Sequence, residues 1–331
     1  LAEITELLFA DIKKETIDDW RDNYDDTEKY PSVSTGKGFY NIVNGSTGIG
    51  IGMACSIPAF NLKEVNEALI KLLWDKNISF DEIYCAPDFA TGGVLLNGPE
   101  VKESLRVGSG NSCKLRAVIE YNEKERTFIV KEMPYGVYTN TVCSELEKIL
   151  NEGDEKENPG IERFNDLTGT TPNLKIYLKK NANVDKVLKF LYKSTSLQHY
   201  YGVNLTMLDN GHFPKLFGWQ EALQAHLDHE RIIYTKGFQF DLRKITERLH
   251  IITGLQIAMA NIEEVINTIK KSPSAVVANK KLCENFKLDT IQAKAILDMK
   301  LSRLASLEVG KLVAEREGLE KEEIRISKIL S

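Results

Sequence analysis

Little in this sequence suits a membrane, a metal centre or a disulfide framework. No apolar run approaches the roughly 18–20 residues that span a bilayer, which excludes a membrane-crossing helix. The five cysteines, Cys55, Cys85, Cys113, Cys143 and Cys283, are odd in number and far apart. Without a CxxC pair, neither a zinc site nor a disulfide scaffold is expected, and a reduced, intracellular setting fits best. HExxH is missing. Of the five histidines (His199, His212, His226, His229 and His250), only His226 and His229 stand at a spacing a metal could use. No third ligand is near them, so they read as packing histidines. The glycine-rich stretch NGSTGIGIGMA (44–54) leads into Met53-Ala54 rather than GK(S/T), and no GxGxxG follows a strand. That removes the usual phosphate cradle and with it an ATP-binding α/β enzyme. Proline is absent from Trp219 to Ser272, where the only glycines are Gly237 and Gly254.

What is present is a globular composition of 331 residues, 42% apolar and 27% charged. That length suits about two domains at roughly 150 residues each. The formal charge of −5 excludes a wholly basic nucleic-acid binder but not a local basic surface. The charge is uneven. Residues 1–35 hold 4 basic and 10 acidic side chains, whereas residues 172–210 hold 6 basic and 2 acidic. The opening LAEITELLFADIKKE is amphipathic and acidic, unlike a signal peptide. It starts at leucine inside a running helical pattern, so a fragment of a longer protein is expected.

Periodicity predicts an α+β chain. Ile4, Leu7, Leu8 and Ile12 share one helical face, and DNYDDTEKYP (22–31) reads as a loop. NIVNG, KLRAVIEY, RTFIVKEM and LKIYLKK read as strands, with helices over 61–74, 141–150 and 183–192 between them. Residues 151–171 read as a loop. Apolar residues at 242, 245, 249, 252, 259, 262, 266 and 269 alternate by three and four, with Gln256 interrupting the seam. A continuous helix of about 50 residues, roughly 75–80 Å long, is predicted there. Lys271-Ser272-Pro273 ends it. Two short helices follow in 274–308, the second carrying TIQAKAILDMKLSRLASLE. Leu312, Leu319 and Ile326 then recur one heptad apart, as in a returning antiparallel partner.

Several collinear strings resemble one family. DNYDDTEKYP, NIVNGSTGIGIGMACSIPAFNLKEV (41–65), PDFATGG (87–93), KEMPYGV (131–137), LKIYLKKNANVDKVLKFLYKSTSLQHYYGVN (174–204), LRKITERLHIITGLQIAMANIEEVI (242–266) and QAKAILDMKLSRLASLE (292–308) are similar to the A-type subunits of DNA gyrase and bacterial topoisomerase IV. The likeness covers the chain in order. It implies the breakage-reunion subunit of a type IIA topoisomerase, an ATP-dependent isomerase of DNA topology. The implied organisation is the end of a winged-helix domain over 1–26 and a tower domain over 27–213. An ascending coiled-coil helix follows over 214–273, a helical exit-gate globule over 274–308 and a returning helix over 309–331.

In that family a tyrosine of an Arg-Tyr pair attacks a DNA phosphate. None of the 12 tyrosines here follows an arginine, so the resemblance places the nucleophile upstream of Leu1. Magnesium and ATP are held, on the same pattern, by a partner B subunit, with none expected on this chain. The implied partners are double-stranded DNA, a second copy of the chain and the B subunit, in the cytoplasm with the nucleoid.

Residue by residue, Ile49 matches the isoleucine that intercalates and bends DNA. The alternative from spacing alone is burial in a hairpin core. Asn44, Ser46 and Thr47 beside it, with Lys37, Thr91 and Arg106, suit contacts to DNA phosphates. Ile296, Met299, Leu301 and Leu304 form the implied dimer interface, against packing within the globule itself. Four features depart from the family: Tyr40 and Ala90 stand where proline is usual, Ser109 where arginine is common, and SVSTGKG is one residue longer. A non-catalytic, dimeric DNA-bending scaffold with the same architecture is the second reading.

Overall fold

The computed structural model describes residues 3–35, 37–151, 158–209, 211–299 and 306–331, with the side chains of Ile4, Leu7 and residues 306–309 outside that description. The chain forms two compact units. One comprises Leu1–Thr35 and Glu230–Ser331, the other Gly36–His229.

The first unit opens with α1 (Glu3–Leu8), and a 3-10 turn (Ala10–Lys14) replaces the remainder of the expected helix. The acidic stretch is a hairpin rather than a loop throughout, because β1 (Trp20–Asp22) pairs antiparallel with β2 (Lys29–Pro31). The Asn23 side chain accepts from the Thr27 N–H at 3.0 Å and closes the turn between them.

The second unit begins with α2 (Tyr40–Val43), so NIVNG is one helical turn and not a strand. Its C-cap, Asn44, donates its N–H to the carbonyl of Tyr40 at 2.8 Å. Gly45 then reverses the chain with φ +69° into β3 (Ser46–Gly50) and β4 (Met53–Ile57). The helix α3 (Leu62–Trp74) starts where the polar cap predicts, because the Asn61 side chain accepts from the N–H groups of Lys63 and Glu64. Val65, Ala68, Leu69 and Leu72 form its buried face, each larger side chain contributing about 1.5–3 kcal/mol.

The unit continues through α4 (Phe80–Ile83), β5 (Val94–Leu95), α5 (Gly98–Val107), β6 (Cys113–Arg116), β7 (Val118–Asn122), β8 (Thr127–Glu132) and α6 (Thr139–Asn151). It is completed by β9 (Ile161–Asp166), β10 (Leu174–Leu178), α7 (Val184–Ser194), β11 (Gln198–Tyr201), β12 (Thr206–Asp209) and β13 (Phe213–Leu216).

Two sheets carry this unit. The antiparallel order β7-β8-β10-β9 builds one core with α6 and α7, around Phe128, Val130, Leu146, Ile176 and Leu191. The order β11-β6-β5 backs a second core containing Ile42, Ile57, Phe60, Leu105 and Leu115. β9 lies inside the stretch read as a loop. It is an edge strand with mostly exposed charged or polar residues, so its composition hides it.

The helix α8 (Trp219–Ala260) starts in the second unit and continues into the first. Trp219 is fully buried, and its indole N–H donates to the carbonyl of Ile83 at 2.8 Å. The expected uninterrupted helix is broken. Asn261 leaves helical geometry at φ −125°, ψ 38°, and α9 (Ile262–Lys270) restarts beyond it. The Asn261 side chain donates to the carbonyl of Ile257, a local bond of the kind that competes with helix continuation.

α10 (Ala275–Phe286) and α11 (Thr290–Leu297) follow, the latter opened by a reciprocal capping box between Asp289 and Gln292. α11 stops at Leu297 rather than running to 308, and residues 306–308 belong to α12 (Ser306–Leu330). Within the first unit Arg248 on α8 forms a two-pronged ion pair with Glu315 on α12, at 2.7 and 3.0 Å. Gln256, the polar residue in the apolar seam, accepts from Arg316 at 2.6 Å.

Candidate nucleic-acid interface

The stretch 44–57 folds as a two-strand arm. β3 and β4 pair in register Ser46↔Ile57, Thr47↔Ser56, Gly48↔Cys55, Ile49↔Ala54 and Gly50↔Met53, with Ile51 and Gly52 as the loop. Gly52 takes φ +76°, the conformation a type II turn needs at its second loop residue. Successive side chains alternate across the pleat, so Ile49 shares a face with Ala54, Thr47 and Ser56. The opposite face carries glycine on one strand, which leaves Met53 and Cys55 lying against bare backbone.

Among the described residues the tip meets no opposing layer. Ile49 is 95% exposed and Ile51 102% exposed, so Ile49 is not a core residue of the hairpin, the alternative that spacing alone allows. Ile51 and Met53, also exposed, escaped sequence reasoning, although the repeated GIGIG pattern held the signal for Ile51.

The root, by contrast, is tied down. Tyr201 donates its hydroxyl to the carbonyl of Ile57 at 3.1 Å, and Ser56 donates to the carbonyl of Gly202 at 2.9 Å. Asn204 exchanges backbone bonds with Ser56 at 2.8 and 2.9 Å, and its side chain donates to the carbonyl of Ala54 at 3.0 Å. Thr206 in turn donates to the Asn204 side-chain oxygen at 2.6 Å. Asn204 lies about 150 residues beyond the arm in sequence, so no local pattern announced it.

The polar residues expected beside the wedge are brought together in part. Asn44 and Thr47 are exposed and Ser46 half-buried along the same arm. Lys37 is half-buried ahead of α2, and Thr91 is exposed in the turn before β5. Arg106 answers two carboxylates, Glu103 at 3.2 Å and Asp81 at 3.7 Å, and its guanidinium lies over the Phe80 ring. It lines a mixed-charge depression with Lys76, Asp209, Lys215 and Glu221. Ser109 forms a bridge with Asn204.

The other candidates resolve into structure. His226 stacks on Phe39 with ring centroids 4.7 Å apart, and burial pushes its pKa down to about 4. Among the described residues no cluster of three His, Cys, Asp or Glu could hold a metal. All five cysteines are free. Burial pushes the Cys85 and Cys113 thiols up to about 12 and Cys143 up to about 11, far from the range of a reactive thiolate. Ile296 is 3% exposed and packs with Leu255, Leu282 and Leu288, while Met299 packs against the same cluster. These two side chains pack within the unit's own core, the arrangement the sequence reading set against contact with a second copy of the chain. Leu301 and Leu304 lie outside the described residues.

Sequence comparison places the chain among DNA topoisomerase subunits. The family of DNA gyrase/topoisomerase IV A subunits matches residues 1–331, and the chain belongs to it. It is 40% identical over 326 residues to a DNA gyrase A subunit of Leptospira biflexa, covering 96% of this chain and 38% of that protein. It is 39% identical to the corresponding gyrase chain of Metamycoplasma arthritidis, over 94% of this chain and 35% of the relative. That of Staphylococcus aureus is 38% identical over 95% of this chain and 36% of its own length. The chain therefore spans between a third and two-fifths of these relatives.

Proposed function

We propose that this chain is the DNA-bending portion of a type IIA topoisomerase breakage-reunion subunit, with Ile49 as the wedge that enters between base pairs. One observation carries the reading: a β-branched apolar side chain stands fully in solvent at the end of a short arm whose root is bonded into a folded unit. Exposed isoleucine has no stabilising role in the free protein, whereas unstacking a base step requires a stiff apolar insert. Unstacking costs a few kcal/mol, offset by contacts along the bent duplex. Asn44, Ser46 and Thr47 supply short polar groups to the adjacent phosphates, with Lys37, Thr91 and the ion-paired Arg106 further along the backbone path.

Strand cleavage is assigned to an Arg-Tyr pair outside these 331 residues, and magnesium and ATP to a B-type partner. α8 and α9 with α12 form an antiparallel coiled coil in this reading. Support comes from the bonds that cross from α8 to α12 at Arg248–Glu315 and Gln256–Arg316. α10 and α11 make the globule at its tip, where two copies of the chain meet. Leu301 and Leu304 remain the proposed contact there, joined by Ile291, which is 60% exposed.

The test is Ile49→Ala in an enzyme assembled from full-length A and B subunits, with duplex ends labelled for energy transfer. Bending and cleavage-complex formation are expected to fall together, with DNA still bound. Bending equal to the parent enzyme's removes Ile49 from the role.

A further inference from the structure

We propose that β9 is a docking edge, at which an extended cationic segment of a partner polypeptide adds as a fifth strand to the sheet β7-β8-β10-β9. That segment carries lysine or arginine at two positions four apart, with an apolar residue midway. The inference is independent of the DNA-bending reading.

The edge is open along its backbone. β9 is the outermost strand of its sheet and pairs with β10 alone. Just past the strand, the Leu167 N–H donates to the carbonyl of Asn173 at 3.0 Å. The register then runs Asp166↔Leu174, Asn165↔Lys175, Phe164↔Ile176 and Arg163↔Tyr177. In an antiparallel pair every second residue turns its N–H and C=O away from the neighbouring strand. Counted from Leu167, those residues are Asp166 and Phe164. Among the described residues no hydrogen bond reaches the backbone N–H or C=O of either. The register with β10 also skips Glu162, so that residue has no place in the existing ladder.

The side chains decide what can lie there. Glu162, Arg163, Asn165 and Asp166 are exposed, and Phe164 is half-buried against the core of the sheet. Among the described residues no cation pairs with Glu162 or Asp166. The Asp166 carboxylate accepts from the Thr168 N–H at 2.9 Å and lies 3.9 Å from the Cys143 thiol, and neither neutralises it. The nearby cations are committed elsewhere. The Arg163 guanidinium stands 3.7 Å over the Tyr177 ring, and Lys175 pairs with Glu125 at 3.8 Å. Residues 151–171 as a whole hold 6 acidic and 2 basic side chains.

Charge complementarity selects the occupant. Charged edges discourage indiscriminate strand pairing. A second copy laid antiparallel about Phe164 sets Glu162 against Asp166, and a parallel copy in register sets each carboxylate against itself. Like charges directly opposite destabilise a pair of strands. A segment with a cation at each end of a five-residue span answers both carboxylates at once. A β-branched residue midway then meets the Phe164 ring, a favoured cross-strand pair. Main-chain bonds supply the affinity of such an added strand, and alternate side chains its specificity.

The test titrates the 331-residue chain with the peptide acetyl-Thr-Lys-Thr-Val-Thr-Lys-Thr-amide, followed by NMR. Two control peptides carry glutamate for both lysines, or N-methylvaline for valine, which removes the N–H that meets the Phe164 carbonyl. Binding of the lysine peptide is expected to slow amide exchange at Phe164 and Asp166. Either control is expected to bind more than about tenfold more weakly. Glu162→Lys, an exposed change, is expected to weaken the lysine peptide about fivefold and to strengthen the glutamate peptide. No binding of the lysine peptide overturns the proposal, as does equal binding of the glutamate peptide. Binding that leaves exchange at Phe164 and Asp166 unchanged is attraction to surface charge alone and also overturns it. Exchange at those two amides that slows in the free chain as its concentration rises gives the edge to a second copy and overturns the cationic partner. None of these outcomes bears on Ile49.

Discussion

The arm formed by β3 and β4 holds isoleucine in opposite surroundings at its two ends. Ile49 and Ile51 at the tip are in full solvent, whereas Ile57 at the root is 1% exposed, packed in the core with Ile42 and Phe60. The side chains are chemically identical, so the difference lies in whether a second layer stands opposite. The root is bonded to β11 and the Asn204 segment as far as Ala54, the residue opposite Ile49, and the turn from Gly50 to Met53 extends past the last of these bonds. Stability belongs to one end and surface chemistry to the other.

Removing side-chain volume should expose that asymmetry most strongly. Ile57→Ala is expected to cost about 2–5 kcal/mol, read from chemical denaturation. The same truncation at Ile49 should stay within about 0.5 kcal/mol. Comparable losses at the two sites would erase the distinction.

The glycines provide a smaller contrast. Both Gly45 and Gly52 have positive φ, but an added Cβ at Gly45 meets the Ile57 carbonyl oxygen at 2.8 Å, whereas at Gly52 it meets nothing within 4 Å. Gly52→Ala should therefore cost about 1 kcal/mol of backbone strain, and Gly45→Ala clearly more. Equal melting temperatures for the two variants would show that the root gives way as easily as the tip.

The mildest test is pH. His226 stacks on Phe39, just ahead of α2 and the root. Its pKa falls from 6.5 to about 4 on folding, mainly through burial, with His229 adding to the shift. Between those values the unfolded chain binds a proton that the folded chain does not. Stability is complete above about pH 6.5 and declines as pH falls toward 4. His226→Phe should flatten that part of the denaturation-midpoint profile, and an unchanged profile would place the titration elsewhere.

Much of the secondary structure was legible because its signals are local. Asn61 caps α3 through its own side chain, Asn183 does the same for α7, and alternation marks β8 and β10. Signals that depend on distant partners were not legible. β9 exists because β10 accepts it as an edge, and Ile161 and Phe164 alone do not announce a strand. Asn261 breaks a helix whose heptad spacing runs on unchanged through the break. Family resemblance singled out Ile49 as a candidate, while its residue type argued for burial; its exposure is a property of what fails to pack against it.

The fastening at Asn204 gives the arm the mechanics of a cantilever. Each strand has five residues, about 17 Å at 3.4 Å per residue, and the bonds from Asn204, Gly202 and Tyr201 reach only β4 from Ala54 onward. A load applied at Ile49 is transmitted to β4 through the β3–β4 ladder and from there into the sheet. The compliance of the tip is then set by a few hydrogen bonds at the clamp. Asn204 bonds the carbonyl of Ala54, the residue paired with Ile49, so the fastening reaches the rung of that side chain and leaves only Gly50 to Met53 beyond it.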